Sequence, residues 1–583
     1  MLLIAGLIIL NTLLFSGIGW AVMKTAGIDP NQAPSWGRAF WAGWAAAAGI
    51  LQIWHFFLPV QFALLALLAA VSAAGWLAYA RQARLKDLLS GRNLVLLGAA
   101  GLALLVMSNH VLFAEPSYDH GLYHLQTAKW FSQYPVVRGL GNLHHRLAFN
   151  SVNLLVGALL NSGPLAGTGI YSANSTAMFA LAAQGLWALG GWISGPQPDR
   201  RVRLYGALLL PASLWQASQY PLTGYSADMV IFALQAVLGG LFLQLADKAD
   251  DADFFRGQSL LMVMLIAAGV SVKLSFAVFG AALLACMLVL NLKSPRASKA
   301  HQRGLALLWV ALICAWVIPW LARNALMSGY LLYPSAAIAL PVAWTMPGHL
   351  IGDISAGITE WARTYSGQIL YSADLAWFST WVVRFVYEAR QALIMSGVML
   401  AALAAAHVLR RPGKKLNAGL TMLAGVSALS ILFWFFSAPT YRFSGAAIWI
   451  LYACAILGAY RFICEKWGAK SGAQFSILFI IFLFYALRTD FSKNISPARL
   501  LTPLREDIIA EQQQPLAGMQ LRSTQSGLQV YVPPENSPET CWNAALPCTT
   551  RNDYLERLQL LEPGDLGGGF FVPQAQQEAS STR

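Results

Sequence analysis

Apolar runs of about 20 residues recur along nearly the whole chain, and a helix of that length crosses roughly 30 Å of hydrocarbon. The first is "LLIAGLIILNTLLFSGIGWAVM", and similar runs follow as far as residue 488. A segment inside lipid must satisfy its own backbone N–H and C=O groups, which leaves helices or closed barrels. These runs are too long, and too apolar on all sides, for the in/out alternation of a barrel strand. Of the 583 residues, 57% are hydrophobic and only 11% charged, whereas a soluble chain carries about 25% charge. The expected fold is therefore all-α and polytopic, with about 14 transmembrane helices.

Spans are expected near 2–23, 37–57, 60–80, 93–113, 170–193, 204–219, 227–246, 258–272, 275–292, 304–322, 386–409, 417–436, 444–463 and 473–488. The first run lacks a positive n-region and a small-residue cleavage site, so it reads as a retained helix. The net charge of +13 makes no case for nucleic acid, because Lys and Arg concentrate in short links between spans. Those links are "RQARLKDLLSGR", "DRRVR", "KSPRASKAHQR", "RRPGKK" and "CEKWGAK". All five fall on one side of the membrane, as the positive-inside bias requires of cytoplasmic links. Both termini, the long loops 114–169 and 323–385, and the tail then face outward.

The transmembrane part is expected over 1–488, and the polar tail 489–583 forms a small external domain. Its "GLQVYVPPE" is strand-like, and its end, "PQAQQEASSTR", is expected to be disordered. Cys286, Cys314, Cys454 and Cys464 lie in or beside apolar helices, where Cys acts as a small hydrophobe. Cys541 and Cys548 differ, because "CWNAALPC" sits in the outward tail and reads as a short disulfide loop.

The chemistry-bearing residues gather on the outward side. "EPSYDHGLYH" (115–124) places Glu115, Asp119, His120 and His124 directly after an apolar run. "HGLYHLQTAKWFSQY" suits an amphipathic helix at the headgroup level, with Tyr and Trp as interfacial anchors. Asp119 stands at a loop-to-helix junction, where a carboxylate serves either as an N-cap or in chemistry. His120 and His124 are four apart and share one helical face, and "HH" follows at 144–145. A metal with Asp119 is thinkable, yet there is no H-E-x-x-H spacing. No cofactor is assigned, and a divalent metal stays open. Asp228 begins a span, Lys273 lies between two short apolar stretches, and Arg323 and Arg442 stand at outer helix ends. An ammonium placed like that of Lys273 is costly without an anion or water. Such cations converging beside a carboxylate suit a lipid-linked phosphate and a base for its acceptor.

This order of features across 93–488, with "YDHGLYHLQTAKW" as its strongest piece, resembles the GT-C superfamily of membrane glycosyltransferases. Those enzymes are similar in placing an Asp in the first large external loop, followed by a Tyr and by small and basic residues. Here these are Asp119, Tyr123, Ala128 and Lys129. Lys273 and the pair Arg442–Phe443 resemble features of the members that use polyprenyl-phosphate sugars. The sequence departs by having His120 where many members have a second acid, and by more helices ahead of the key loop. It is also similar to bacterial multi-spanning proteins of uncharacterised function, which share "GLGNLHHRLAFNS", "RNALMSGYLLYP" and "CWNAALPCT".

The resemblance implies a GT-C-like fold in a bacterial inner membrane, with both termini periplasmic. It implies transfer of a sugar from a polyprenyl-phosphate donor to an acceptor hydroxyl in cell-envelope glycan assembly or modification. Asp119 would be the general base. Lys273, Arg323, Arg442 and Arg146 would hold the donor phosphate, and His120, His124, Tyr123 and Asp228 would position the acceptor or a metal. The expected partners are the lipid-linked donor and membrane lipids, with no nucleic acid. A transporter or flippase for a lipid-linked glycan, or an O-antigen-polymerase-like protein, is the alternative reading.

Overall fold

The computed structural model describes residues 1–25, 35–80, 91–113, 117–194, 200–219, 222–293, 298–364, 377–388, 417–494, 518–534, 540–550 and 554–573, with six further positions between 390 and 401. Among the described residues, ten helices are long and apolar enough to cross a membrane. Their outward side chains are themselves apolar: Val95 is 71% exposed, Leu307 69% and Leu478 66%. Water would penalise that surface by about 25 cal/mol per Å², whereas lipid chains cover it. The protein is a multi-pass membrane protein.

Helices Ala227–Asp247 and Ala252–Val272 are buried along most of their length and form the centre of the bundle. Gly169–Ile193, Arg200–Gln219 and Ala418–Ser437 pack against the first of these, and Leu2–Thr25 packs on Gly169–Ile193. Two expected spans, near 37–57 and 204–219, are present as helices Ser35–Trp54 and Arg200–Gln219 but are less apolar than the ten. More than half of the expected span 386–409 lies outside the described residues, as do Glu115 and most of the chain end from Pro573 onward.

The last helical stretch, Ala447–Asn494, breaks at Gly468, whose φ of 87° is left-handed. A Cβ on Gly472 would meet the Cys464 sulfur and lie 3.0 Å from the Tyr460 ring. A straight helix would separate residues 460 and 472 by about 18 Å. The chain therefore doubles back at Gly468, and glycine's tolerance of positive φ is what permits it. The expected spans 444–463 and 473–488 correspond to its two arms.

One end of the bundle carries the irregular structure. A π-helical turn, His120–His124, leads into helix Leu125–Gln133, followed by short turns and by helix Val152–Leu160. Every residue of Val152–Leu160 is buried, though nine residues are too few to cross a membrane. This stretch, expected as an open interfacial loop, is a packed layer. Leu125, Gln126, Thr127, Ala128, Trp130 and Phe131 are buried, the helix packing on Val152–Leu160 while the tail covers Gln126 and Trp130. In the tail, strands Gln520–Ser523 and Gln529–Val532 pair antiparallel, as do Gln559–Leu560 and Phe570–Phe571. A disulfide joins Cys541 and Cys548.

At the N-terminus the first three helices touch backbone to backbone. A Cβ on Gly43 would fall inside the Phe15 carbonyl oxygen, and one on Gly75 inside the carbonyl oxygen of Gly17. Lipid offers no hydrophobic drive between helices, so close approach at small residues supplies the attraction. Gly43→Leu should therefore cost about 1–3 kcal/mol by overpacking. Its readouts are a lowered melting temperature and a heterogeneous profile in size-exclusion chromatography. Gly6→Leu should show neither, because nothing lies within 4 Å of the Cβ it would gain.

Candidate active site at one end of the bundle

Four segments far apart in sequence bring charges together beside the π-helical turn. Asp119 precedes that turn, and its side chain makes no capping hydrogen bond. Of the two roles open to it, the N-cap is not the one it takes. Its Oδ2 instead lies 3.4 Å from Nη2 of Arg442. Asp228 stands in the first turn of Ala227–Asp247, where a carboxylate suits the helix dipole. Its Oδ1 accepts a 2.6 Å hydrogen bond from Lys273 Nζ, and its Oδ2 lies 3.8 Å from Arg442 Nε. Arg442 thus reaches both carboxylates.

Local structure fixes each cation. Lys273 ends helix Ala252–Val272 in extended backbone, before the 3-10 turn Leu274–Phe276. Its ammonium sits 3.8 Å from the centre of the Phe443 ring. Arg442 lies in the turn Tyr441–Ser444. Trp381 Nε1 donates to the Pro439 carbonyl at 2.6 Å, and Trp434 Nε1 to that of Thr440 at 2.7 Å, so two tryptophans grip the approach to this turn. The guanidinium lies 4.9 Å from the rings of Trp361 and Phe443, geometry at which a cation is attracted to an aromatic face. The side chains of Asp119, Lys273 and Arg442 remain 26%, 28% and 25% exposed, so solutes reach them.

Arg146 joins this group from the 3-10 turn His145–Ala148, with its guanidinium 6.0 Å from the Tyr123 ring. Among the described residues it has no carboxylate partner. Burial, and then the nearby Asp119 charge, raises the pKa of Tyr123 and keeps its hydroxyl protonated. His120 and His124 lie behind, their ring centres 6.2 Å apart, and both are buried. His120 also packs on Tyr225 and on Trp542. Among the described residues, no three His, Cys, Asp or Glu side chains stand close enough to hold a metal ion. The Asp119 carboxylate is turned to Arg442 and not to the histidines.

Arg323 does not join the group. Its helix runs to Ser328, so Arg323 lies inside the helix and not at its end, and it is fully buried. Its Nε donates to Asn150 Oδ1 at 2.9 Å, Nη1 is 2.6 Å from His55 Nδ1, and its guanidinium lies 5.0 Å from the Phe131 ring. An arginine tied on these sides is a brace between helices, and the expectation that it holds a phosphate is corrected accordingly.

Lys129, read from the sequence as a basic residue of an interfacial helix, has a different role here, and Trp542 was not singled out at all. Lys129 Nζ donates to the Asn543 and Ala544 carbonyls at 3.1 and 2.8 Å and to Asn543 Oδ1 at 3.0 Å. Trp542 N donates to the Gly121 carbonyl at 2.8 Å, and a Cβ on Gly121 would meet the Trp542 ring at 2.5 Å. The disulfide loop therefore clamps the helix that begins at the candidate site. Its only sequence signal was the pair of cysteines around Trp542.

Two outcomes follow from this packing. Burial and then the neighbouring His124 lower His120 from 6.5 to about 3. His124 falls from 6.5 to about 4, mainly through burial, with Asp119 and Asp228 opposing and Arg442 and Arg146 assisting. An unfolded chain protonates these histidines below about pH 6.5 and the folded chain does not. Their stabilisation is thus present above about pH 6.5 and is lost as pH falls toward their folded values. Melting of the detergent-solubilised protein at about pH 7.5 and pH 5 should show this slope, flattened in His120→Gln. Lys129→Met should loosen the clamp, seen as faster release of the tail in limited proteolysis at unchanged bundle melting temperature.

Residues 1–449 match the model of a family described as a domain of unknown function (DUF8201). No curated protein and no solved structure matches the chain. The matched stretch contains Asp119, Arg146, Asp228, Lys273 and Arg442 and ends before the tail. Covering more than half of the sequence, the match shows that the chain belongs to the DUF8201 family.

Proposed function

We propose that the protein is a membrane glycosyltransferase of the GT-C kind, with about 14 transmembrane helices. It would move a sugar from a polyprenyl-phosphate donor to an acceptor hydroxyl at the outer face of a bacterial inner membrane, with both termini periplasmic. The observation that carries this reading is Arg442 held between Asp119 and Asp228, with Lys273 beside them, at one water-reachable end of an otherwise apolar bundle. Asp228 is the most covered of these charges, with its side chain 11% exposed, and ionisable groups packed inside a membrane bundle mark functional sites by default.

The roles follow from the contacts. Asp119 makes no cap bond and one long contact to Arg442, so its carboxylate can accept a proton from an acceptor hydroxyl. The acceptor oxygen then attacks the anomeric carbon. The bond from that carbon to the phosphate oxygen breaks, and its electron pair stays on the phosphate. Arg442 and Arg146 supply positive charge where that leaving group gathers negative charge, which preorganised cations stabilise without rearrangement. Arg442 is suited to this because it stands between both carboxylates, 3.4 Å from Asp119 Oδ2 and 3.8 Å from Asp228 Oδ2. Asp228 and Lys273 form a tight pair that holds the floor of the site. Tyr123, kept protonated, offers a hydroxyl donor near Arg146.

The test is turnover of purified protein supplied with polyprenyl-phosphate sugars and hydroxyl acceptors. Loss of a general base typically costs about 10²–10⁴-fold, so Asp119→Asn should lower kcat by that factor with the fold intact. Equal turnover in Asp119→Asn and wild type would remove Asp119 as the base. No turnover with any donor would speak for the transport or assembly readings.

A further inference from the structure

The segment that carries Asp119 is not an ordinary helix start. In the π-helical turn His120–His124, the Leu125 N–H bonds the His120 carbonyl, five residues back instead of four. The turn therefore holds one residue more than an α-turn, and such turns are rare and recur at functional sites. Each residue of an α-helix turns the chain by about 100°. Closing the turn to α geometry would swing Asp119 by about one such step around the axis of Leu125–Gln133. Its Oδ2, now 3.4 Å from Arg442 Nη2, would be carried several ångströms away. The aim of the carboxylate thus depends on whatever keeps the turn wide.

The turn is wedged between two surfaces. On the bundle side, a Cβ on Gly224 would lie 2.9 Å from His120 Nδ1, and the Tyr225 ring centre is 5.6 Å from that of His120. On the other side stands Trp542 of the tail, with its ring centre 6.2 Å from that of His120. The same ring lies where a Cβ on Gly121 would meet it at 2.5 Å, and the Trp542 N–H donates to the Gly121 carbonyl at 2.8 Å. Trp542 is itself strained. Its φ is 41°, and among the described residues no other non-glycine has a positive φ. A bulky residue stays in that region only where its surroundings over-determine it. Here the Cys541–Cys548 disulfide starts at the preceding residue, and Gln126 Nε2 donates to the Trp542 carbonyl at 2.9 Å.

Strain of this kind clusters where structure serves function, and here it sits against the turn that aims Asp119. We infer that Trp542 is a positioning residue of the candidate site, holding the π-helical turn wide so that Asp119 meets Arg442. The tail is then part of the site, although it lies beyond the family-matched residues 1–449. The geometric part stands without any reaction, whereas its effect on turnover rests on the glycosyltransferase reading.

Hydrogen exchange of the full-length protein in detergent, read by mass spectrometry, tests the geometric part. Trp542→Gly removes the ring and relieves the left-handed φ, and Trp542→Phe keeps a ring in place. Amides of 119–126 should exchange about tenfold faster in Trp542→Gly than in wild type, and close to the wild-type rate in Trp542→Phe. Those of Ala227–Asp247 should not change in either variant. The inference is overturned if Trp542→Gly exchanges at 119–126 as wild type does, or if Trp542→Phe exchanges as fast as Trp542→Gly. An equal rise along Ala227–Asp247 would also overturn it, since the whole bundle would then have loosened. With a polyprenyl-phosphate sugar as donor, Trp542→Gly should lower kcat about tenfold to a hundredfold and change the donor KM by less than about twofold. Arg442 and Arg146 are untouched, and Trp542→Phe should restore most of the loss. A raised KM at unchanged kcat would contradict a positioning role. If wild type turns over no donor, the glycosyltransferase reading fails, and hydrogen exchange still decides this inference.

Discussion

The Arg442 guanidinium, shared between Asp119 and Asp228, is the contact on which this end of the bundle is organised. A charge packed away from water without a partner is expensive, so each of these residues constrains where the others can be. Asp228 fixes the start of a central helix, Lys273 the end of the next, and Arg442 a turn gripped by Trp381 and Trp434. Asp119 is the member held most loosely, by a 3.4 Å contact to Arg442. The opposite end of the same central helix carries a charge pair of its own, Asp247 with Arg201.

Much of this was legible because apolar sequence makes exceptions conspicuous. Asp119, Asp228, Lys273 and Arg442 stand out as ionisable residues at the ends of long apolar runs, and the structure brings them within a few ångströms of one another. Arg323 looked the same and is not the same. Its helix continues six residues past the apparent end of the apolar run, through "RNALMS", so hydropathy placed it at the end of the helix. Its partners His55 and Asn150 lie more than 170 residues away, and no local pattern announces them.

The tail was the least legible part. Lys129, Gln126 and Trp130 read as interfacial residues, because a basic and aromatic amphipathic helix has that meaning at a membrane surface. They are instead covered by residues more than 400 positions later: Gln126 donates to the Trp542 and Ala544 carbonyls, both at 2.9 Å, and Arg138 pairs with Glu562. Contacts of that sequence separation leave no periodicity to read. The consequence for function is physical, since the segment that carries Asp119 is set by the bundle on one side and by the disulfide loop on the other.

The convergence of distant segments on Asp119 is the central claim, and cysteine cross-linking measures it directly. In a background where Cys286, Cys314, Cys454 and Cys464 are replaced by serine or alanine, Asp119→Cys is combined either with Arg442→Cys or with Arg323→Cys. A short, membrane-impermeant thiol cross-linker is applied to intact cells. The account predicts rapid cross-linking of the 119–442 pair and none of the 119–323 pair. Absence of a 119–442 cross-link, or equal reaction of both pairs, would contradict it.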